Sequence, residues 1–403
     1  GNGAGSTAVS SPSVTAGIGG SANVDVTGNV DVKGKASVKA KANSDGVSPL
    51  SGVSVSTSVA DAKANPSVTA SVGGSAIIKG NNISVTADAG TVPSAAETAR
   101  ADATSSGGSL LANVSGAKAG VGASPVVTAS VGNSCDMEAD NDITISATAT
   151  AKAGAMADGN NTGFINIGAI EASGTVNSSA AVTVGTSAQL DADRDINISA
   201  LDTTSAVIAT EGGSGKTLAD SIKELLTNGI TGADVPSLTA HGAAVTIVSG
   251  DTSATVTFGN NSHVHALNAL NVSADNEVTV DADSSMTAGS AIAAAAVSAA
   301  SVTMDADAIV LVNDGAHLEA VRTTITAKNR VDINSWAQAK STADIAGAFA
   351  SSISRVMLGS LADHSEARIT VMPNATVNGS EKLILEATNQ QKSANILSKA
   401  SAL

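Results

Sequence analysis

Seven segments of this chain are copies of one another, and that repetition limits the fold more than any other feature. Three are near-identical: SPSVTAGIGGSANV (11–24), NPSVTASVGGSAII (65–78) and SPVVTASVGNSCDM (124–137). Weaker copies are AAVTVGTSAQL (180–190), SATVTFGNNSHV (253–264), AIVLVNDGAHL (308–318) and ARITVMPNATV (367–377). Aligned, they place Val24, Ile78, Met137, Leu190, Val264, Leu318 and Val377 in one column, at spacings of 54, 59, 53, 74, 54 and 59 residues. Six residues further on, five in the second copy, a second segment follows. It reads VDV (30–32), ISV (83–85), ITI (143–145), INI (196–198), LNV (270–272), TIT (324–326, shifted by one) and LIL (383–385).

Both segments alternate apolar and polar residues, the period of a half-buried strand. Turn-formers separate them, as in Lys79-Gly80-Asn81-Asn82 and Asp191-Ala192-Asp193-Arg194-Asp195. Strand, turn and strand describe part of one coil of a parallel β-solenoid, in which each coil is buried only by its neighbours. The expectation is one continuous solenoid over residues 1–403, built of about seven super-repeats of 53–59 residues. Three coils of roughly 18 residues per repeat would give some twenty coils, and a rod on the order of 100 Å. Two residues before the apolar column stand Ala22, Ala76, Cys135, Ala188, Ser262, Ala316 and Ala375, small residues suited to an inward corner. Cys135 therefore reads as a filler of an Ala slot. The column between holds Asn23, Ile77, Asp136, Gln189, His263, His317 and Thr376, a scatter that faces solvent.

The 74-residue spacing has a local cause: TLADSIKELLTN (217–228) aligns Leu218, Ile222, Leu225 and Leu226 on one helical face. Thr217 and Asp220 form an approximate capping box, and Asn228-Gly229 supplies a stop. A helical insertion over 211–236 is expected there, and a second helix over 343–361 (ADIAGAFASSISRVMLGSL).

Composition agrees with a thin interior. The 403 residues include three Phe, one Trp and no Tyr, and the apolar share of 42% is mostly Ala and Val. A net charge of −15 disfavours nucleic acid and anionic membranes as partners. No apolar run is long enough to span a bilayer; 291–300 (AIAAAAVSAA) comes nearest. A single Cys excludes a disulfide scaffold and a cysteine metal cluster.

Four constellations invite a chemical reading. TEGGSGKT (210–217) resembles a phosphate loop, but Thr210 stands where the first Gly belongs, so a Gly-rich lead-in is expected. His263 and His265 share a strand face without a third ligand nearby, and on the 18-residue coil His317 lies about 14 Å from His263, too far to share an ion. Asp191/Asp193 with Asp195, Asp281/Asp283 and Asp305/Asp307 form D-x-D pairs that could collect Ca²⁺, although a solvated acidic face is the expectation. The same acids could flank a glycosidic bond, yet four aromatics in all leave few sugar platforms. Thr is not held in register between coils, which argues against an ice-binding face. No catalytic, cofactor-binding or metal-binding residue is assigned.

The alternation VTVGTSAQLDADRDINISA (182–200), repeated with Ala-rich spacers, resembles the stalk of large bacterial filamentous-haemagglutinin-like adhesins. That resemblance implies a right-handed parallel β-helix displayed outside the cell or on the bacterial surface. It implies a structural or adhesive rod and no enzyme. The partners implied are a receptor or glycan on a host or neighbouring cell, or copies of the chain end to end. The super-repeat here is longer than that family's single-coil repeat. A self-assembling extracellular filament subunit is the alternative, and a carbohydrate-active β-helix enzyme stands behind both.

Overall fold

The structure is a computed structural model that describes residues 2–91, 96–214, 239–359 and 364–403. Every strand lies parallel to the one a full repeat later. Val68 pairs with Val127, Val127 with Ala180, Ala180 with Ala254 and Ala254 with Ala308. The chain is a right-handed parallel β-helix, and one repeat makes one coil. That corrects the expected three coils per repeat. Stacked at about 4.8 Å, seven coils rise only to roughly 30 Å, while a strand of 20 residues reaches up to about 65 Å across. The body is wider than it is tall.

The third coil shows the path. A first strand (Val126–Val131) turns sharply into a short strand (Asp136–Ala139). A second turn leads to a long strand (Ile143–Thr162), and a return strand (Ile165–Val184) runs on to become the first strand of the next coil. The sharp turn has a backbone cause. Ser21, Ser75, Ser134, Ser187, Asn261, Gly315 and Asn374 all have φ between 52° and 68°, one left-handed residue per coil. Each such corner is followed by the small-residue column, and Ala76, Cys135, Ala188, Ser262 and Ala316 are fully enclosed there. Two residues before the corner, a Cβ on Gly73, Gly132, Gly185 or Gly259 would run into the backbone of the coil below. In those four coils the stacked corner leaves room only for glycine, whereas the last two coils carry Asn313 and Met372 at the same place.

The cross-section has two lobes. The first, enclosed by the first, short and initial long strands, holds the Val, Ile and Leu of the repeat motif, such as Val127, Met137, Ile143 and Ile145. The second lobe, between the rest of the long strand and the return strand, is lined mostly by Ala. It is thin: Ser58 Oγ on the return strand donates to Ser44 O across it at 2.6 Å. Where a large residue enters, glycine faces it. Cβ atoms on Gly212 and Gly242 would collide with Met286, and one on Gly174 would lie 2.8 Å from Ile208 Cδ1.

A polar column marks the waist between lobes. Ala36, Ala89, Ala149, Asp202, Asn276, Asn329 and Asn389 stack in register on the long strands. The Asn276, Asn329 and Asn389 amides donate to the carbonyls of Thr252 (3.1 Å), Ala306 (2.6 Å) and Ser365 (2.8 Å) across the waist. Early coils have Pro12, Pro66 and Pro125 just before the first strand, and their carbonyls still accept from the coil above.

Three further expectations meet the structure here. The helix over 217–228 and most of the 211–236 insertion lie outside the described residues. The helix over 343–361 is replaced by a strand, Ala348–Leu358, laid against Ala294–Met304. An open coil edge supplies hydrogen-bonding partners to Ala348–Leu358, which outweighs the weak helical preference of its Ala and Ser residues; residues 360 and 361 lie outside the described residues. Finally, in the sixth copy Thr323–Ile325, rather than Thr324–Thr326, falls in register with Leu270–Val272, after a register shift near Ala320.

Candidate interaction faces

Each strand presents one residue column in two to solvent, so the functional surfaces are ladders of outward side chains one coil apart. On the short-strand face, the corrected coil length brings the histidines together. His263 and His317 occupy adjacent coils with rings stacked at 5.2 Å, and His263 and His265 are 6.4 Å apart. His265 Nδ1 lies 3.4 Å from Asp191 Oδ1, and His317 Nε2 lies 3.0 Å from Glu319 Oε2. Lys79 and Glu138 form an ion pair on the same face. Among the described residues no three His, Cys, Asp or Glu side chains form a metal-ligand set.

The D-x-D acids are mostly engaged in binding one coil to the next. Asp195 Oδ1 accepts from Asn268 Nδ2 at 2.6 Å and from Ala269 N at 3.0 Å. Asp281 Oδ1 accepts from Asn334 Nδ2 at 2.7 Å. Asp305 accepts from Ser365 Oγ at 3.2 Å, and Asp307 accepts from Glu366 N at 3.0 Å. Asp193 sits exposed in the turn between strands, beside Arg194, which grips Asp142 of the coil below and holds that carboxyl under its ordinary pKa. Thr210–Ser214, the start of the supposed phosphate loop, is ordinary strand at the end of Asp195–Ser214, and residues 215–217 lie outside the described residues. Cys135 is completely buried in its Ala slot, and burial pushes its thiol up to about 11.

The return-strand face is apolar. Val55, Val114, Ile167, His241, Ala295 and Phe349 form one outward column, and Val59, Lys118, Glu171, Val245, Ala299 and Ile353 form another. Between them Thr57, Gly116, Ala169 and Ala243 floor a furrow of about 470 Å³. Ile167 and Phe349 are 45% and 59% exposed, so this face is open among the described residues. The opposite, long-strand face carries Arg100, Asp102, Asp158, Glu211, Asp281 and Asp283, and also the single tryptophan, Trp336. None of these ladders was visible residue by residue. A fixed offset between columns would have revealed them once the coil length was known.

The chain matches no protein-family model, no curated protein and no solved structure. No helix among the described residues is long and apolar enough to cross a membrane.

Proposed function

We propose that this chain is an extracellular structural or adhesive rod, a stalk segment of a secreted bacterial filamentous adhesin, with no enzymatic step of its own. The observation that supports this reading is the continuous backbone ladder. Ile143–Asn161 of one coil pairs with Ile196–Ser214 of the next over nineteen consecutive residues; the coil above continues the ladder from Asp195 to Ser214, and the coil below pairs in two runs, Ile143–Ala149 and Ala153–Thr162. Tension along the axis is then shared by many parallel hydrogen bonds. The acidic surface (net charge −15) favours solubility and repels anionic membranes. The role needs no cofactor. Its partner is a surface receptor or glycan met by the outward ladders.

End-to-end assembly into a filament is the second reading. Leu385 lies directly over the core residue Ile325 and is 48% exposed, an apolar surface that a further coil, from the same chain or from a copy, would cover. Negative-stain electron microscopy over a concentration series, with and without Ca²⁺, separates the two. Discrete particles, roughly 30 Å along the coil axis, support the stalk; fibres that lengthen with concentration support the filament. Pulling a single molecule along that axis tests load-bearing itself. Release coil by coil at distinct force peaks is expected, and featureless extension at low force would sink the mechanical role.

A further inference from the structure

The long-strand face carries a hollow that four successive coils build. Met156, Ala209, Asp283 and Trp336 stack in one outward column, and Glu211, Ser285 and Gln338 stack in the next. The two bulky members of the first column stand three coils apart, about 14 Å, with Ala209 and Asp283 as the floor between them. The result is a hollow of about 260 Å³ walled at one end by the indole and at the other by the thioether. Trp336 is 42% exposed, a large apolar surface left in water by a chain that has only one tryptophan.

Thr210 and Ser284 in its lining are hydrogen-bonded to each other, but the outward polar groups Glu211, Asp283 and Gln338 are not paired with a described residue. Elsewhere on the outer faces carboxylates and amides pair across coils, as Asp281 does with Asn334 and Glu171 with Lys118. No described residue donates a hydrogen bond to the Glu211 or Asp283 carboxylates, and the Gln338 amide is likewise without a described partner. The Asp283 carboxyl is held above its ordinary value by burial and by the charge of Asp281, and Asp158, behind Glu211, is raised by burial and by Glu211. Carboxylates that accept and an amide that both donates and accepts, set beside an indole face, match one ligand chemistry. Hydroxyl groups supply the donors, and a ring face lined with C–H bonds stacks on the indole.

We propose that this hollow is a glycan subsite that takes one uncharged pyranose ring, stacked on Trp336 and hydrogen-bonded through its hydroxyls to Glu211, Asp283 and Gln338. The volume suits a single ring rather than an extended chain. The surrounding acids Asp158, Glu211, Asp281 and Asp283 select against sialylated and uronic-acid sugars by repulsion. This deepens the adhesive reading by naming its ligand class, and it rests on that reading only for its biological purpose.

Because Trp336 is the only tryptophan, its fluorescence reports on this hollow alone. The full chain is titrated with the methyl glycosides of glucose, galactose, mannose and N-acetylglucosamine, with sialyllactose and galacturonic acid as acidic probes. A saturable change with at least one neutral glycoside, and none with the acidic probes, is expected. Glu211→Gln, an exposed outward position, should weaken that binding by about tenfold while circular dichroism stays unchanged. Trp336→Phe should retain part of the binding by saturation-transfer NMR, and Trp336→Ala none. Failure of all four neutral probes overturns the proposal, as do equal binding of the acidic probes or full binding by Glu211→Gln. A Trp336 shielded from acrylamide in the free protein also overturns it, since the hollow would then already be filled. None of these failures touches the stalk reading, which the microscopy tests separately.

Discussion

Asp202 stands in a waist column that is alanine in the earlier coils and asparagine in the later ones, and the consequence is a measurable loss of stability as pH rises. It is completely buried at the waist, between Ala149 of the coil below and Asn276 of the coil above. Where Asn276 donates its amide to the Thr252 carbonyl, Asp202 faces Ser178 and has nothing to donate once ionised. Thr204 Oγ1 donates to its Oδ1 at 3.2 Å, and its Oδ2 has no partner. No charged side chain faces it from either neighbouring coil or across the waist. Burial therefore pushes its pKa from the ordinary 3.8 up to about 7. Below about pH 4 both folded and unfolded chains hold the proton, and the group has no effect on stability. Between about pH 4 and pH 7 the unfolded chain releases its proton while the folded chain keeps it, so stability falls by about 1.4 kcal/mol per unit. The accumulated loss is about 4 kcal/mol by neutral pH and stays constant above it. Asp202→Asn preserves shape, supplies the donor that Asn276, Asn329 and Asn389 provide in the later coils and removes the titration. Thermal unfolding of the wild type and Asp202→Asn is compared at pH 4, 5, 6, 7 and 8. The two should unfold within a degree or two of each other at pH 4, and the variant should gain several degrees by pH 8. Parallel curves across that range, or a variant less stable at pH 8, would refute the reasoning.

Other positions allow sharper mechanical tests. Gly132→Ala drives a Cβ into the Gly73–Gly74 backbone and strains the cross-coil bonds from Gly132 N to Val72 O (2.8 Å) and Ser75 N to Asn133 O (2.9 Å). A cost of about 2–5 kcal/mol is expected in denaturant unfolding, whereas Gly28→Ala, with open space around its Cβ position, should change stability by less than about 0.5 kcal/mol. Gly242→Ala should cost about 1–3 kcal/mol by overpacking against Met286, and combined with Met286→Ala the total should fall short of the two separate costs. Strict additivity in that double-mutant cycle would mean the two residues do not share the space. Cys135, buried and with its thiol at about 11, should resist a thiol reagent at pH 8 until denaturant unfolds its coil; rapid native labelling would contradict its enclosure.

Local signals in the chain carried some of this far and some of it nowhere. Alternation marked Ile143–Ile145 and Ile196–Ile198 as strands, and the copies of VGGSA marked the corner, because backbone geometry at a tight turn demands particular residues at particular places. Coil length was misjudged because alternation looks the same whether a strand turns after five residues or after twenty. The Ala-rich stretches, such as 147–157, read as spacers although they wall a second lobe. Ala348–Leu358 read as helix because nothing local reports the open edge of Ala294–Met304 beside it. Trp336, Glu211 and Asp283 are separated by up to 125 residues in sequence, so their hollow had no local mark.

By itself, then, the sequence determined that the molecule is a stack of repeats with a thin, small-residue interior, since period, composition and turn chemistry act over neighbouring residues. Tertiary structure decided how many residues close one coil, which columns stack, that His263 meets His317, and that Asp202 is buried in a stack between an alanine and an asparagine. Those outcomes depend on register between residues 53–74 apart, and register is settled by the packing of whole coils on one another.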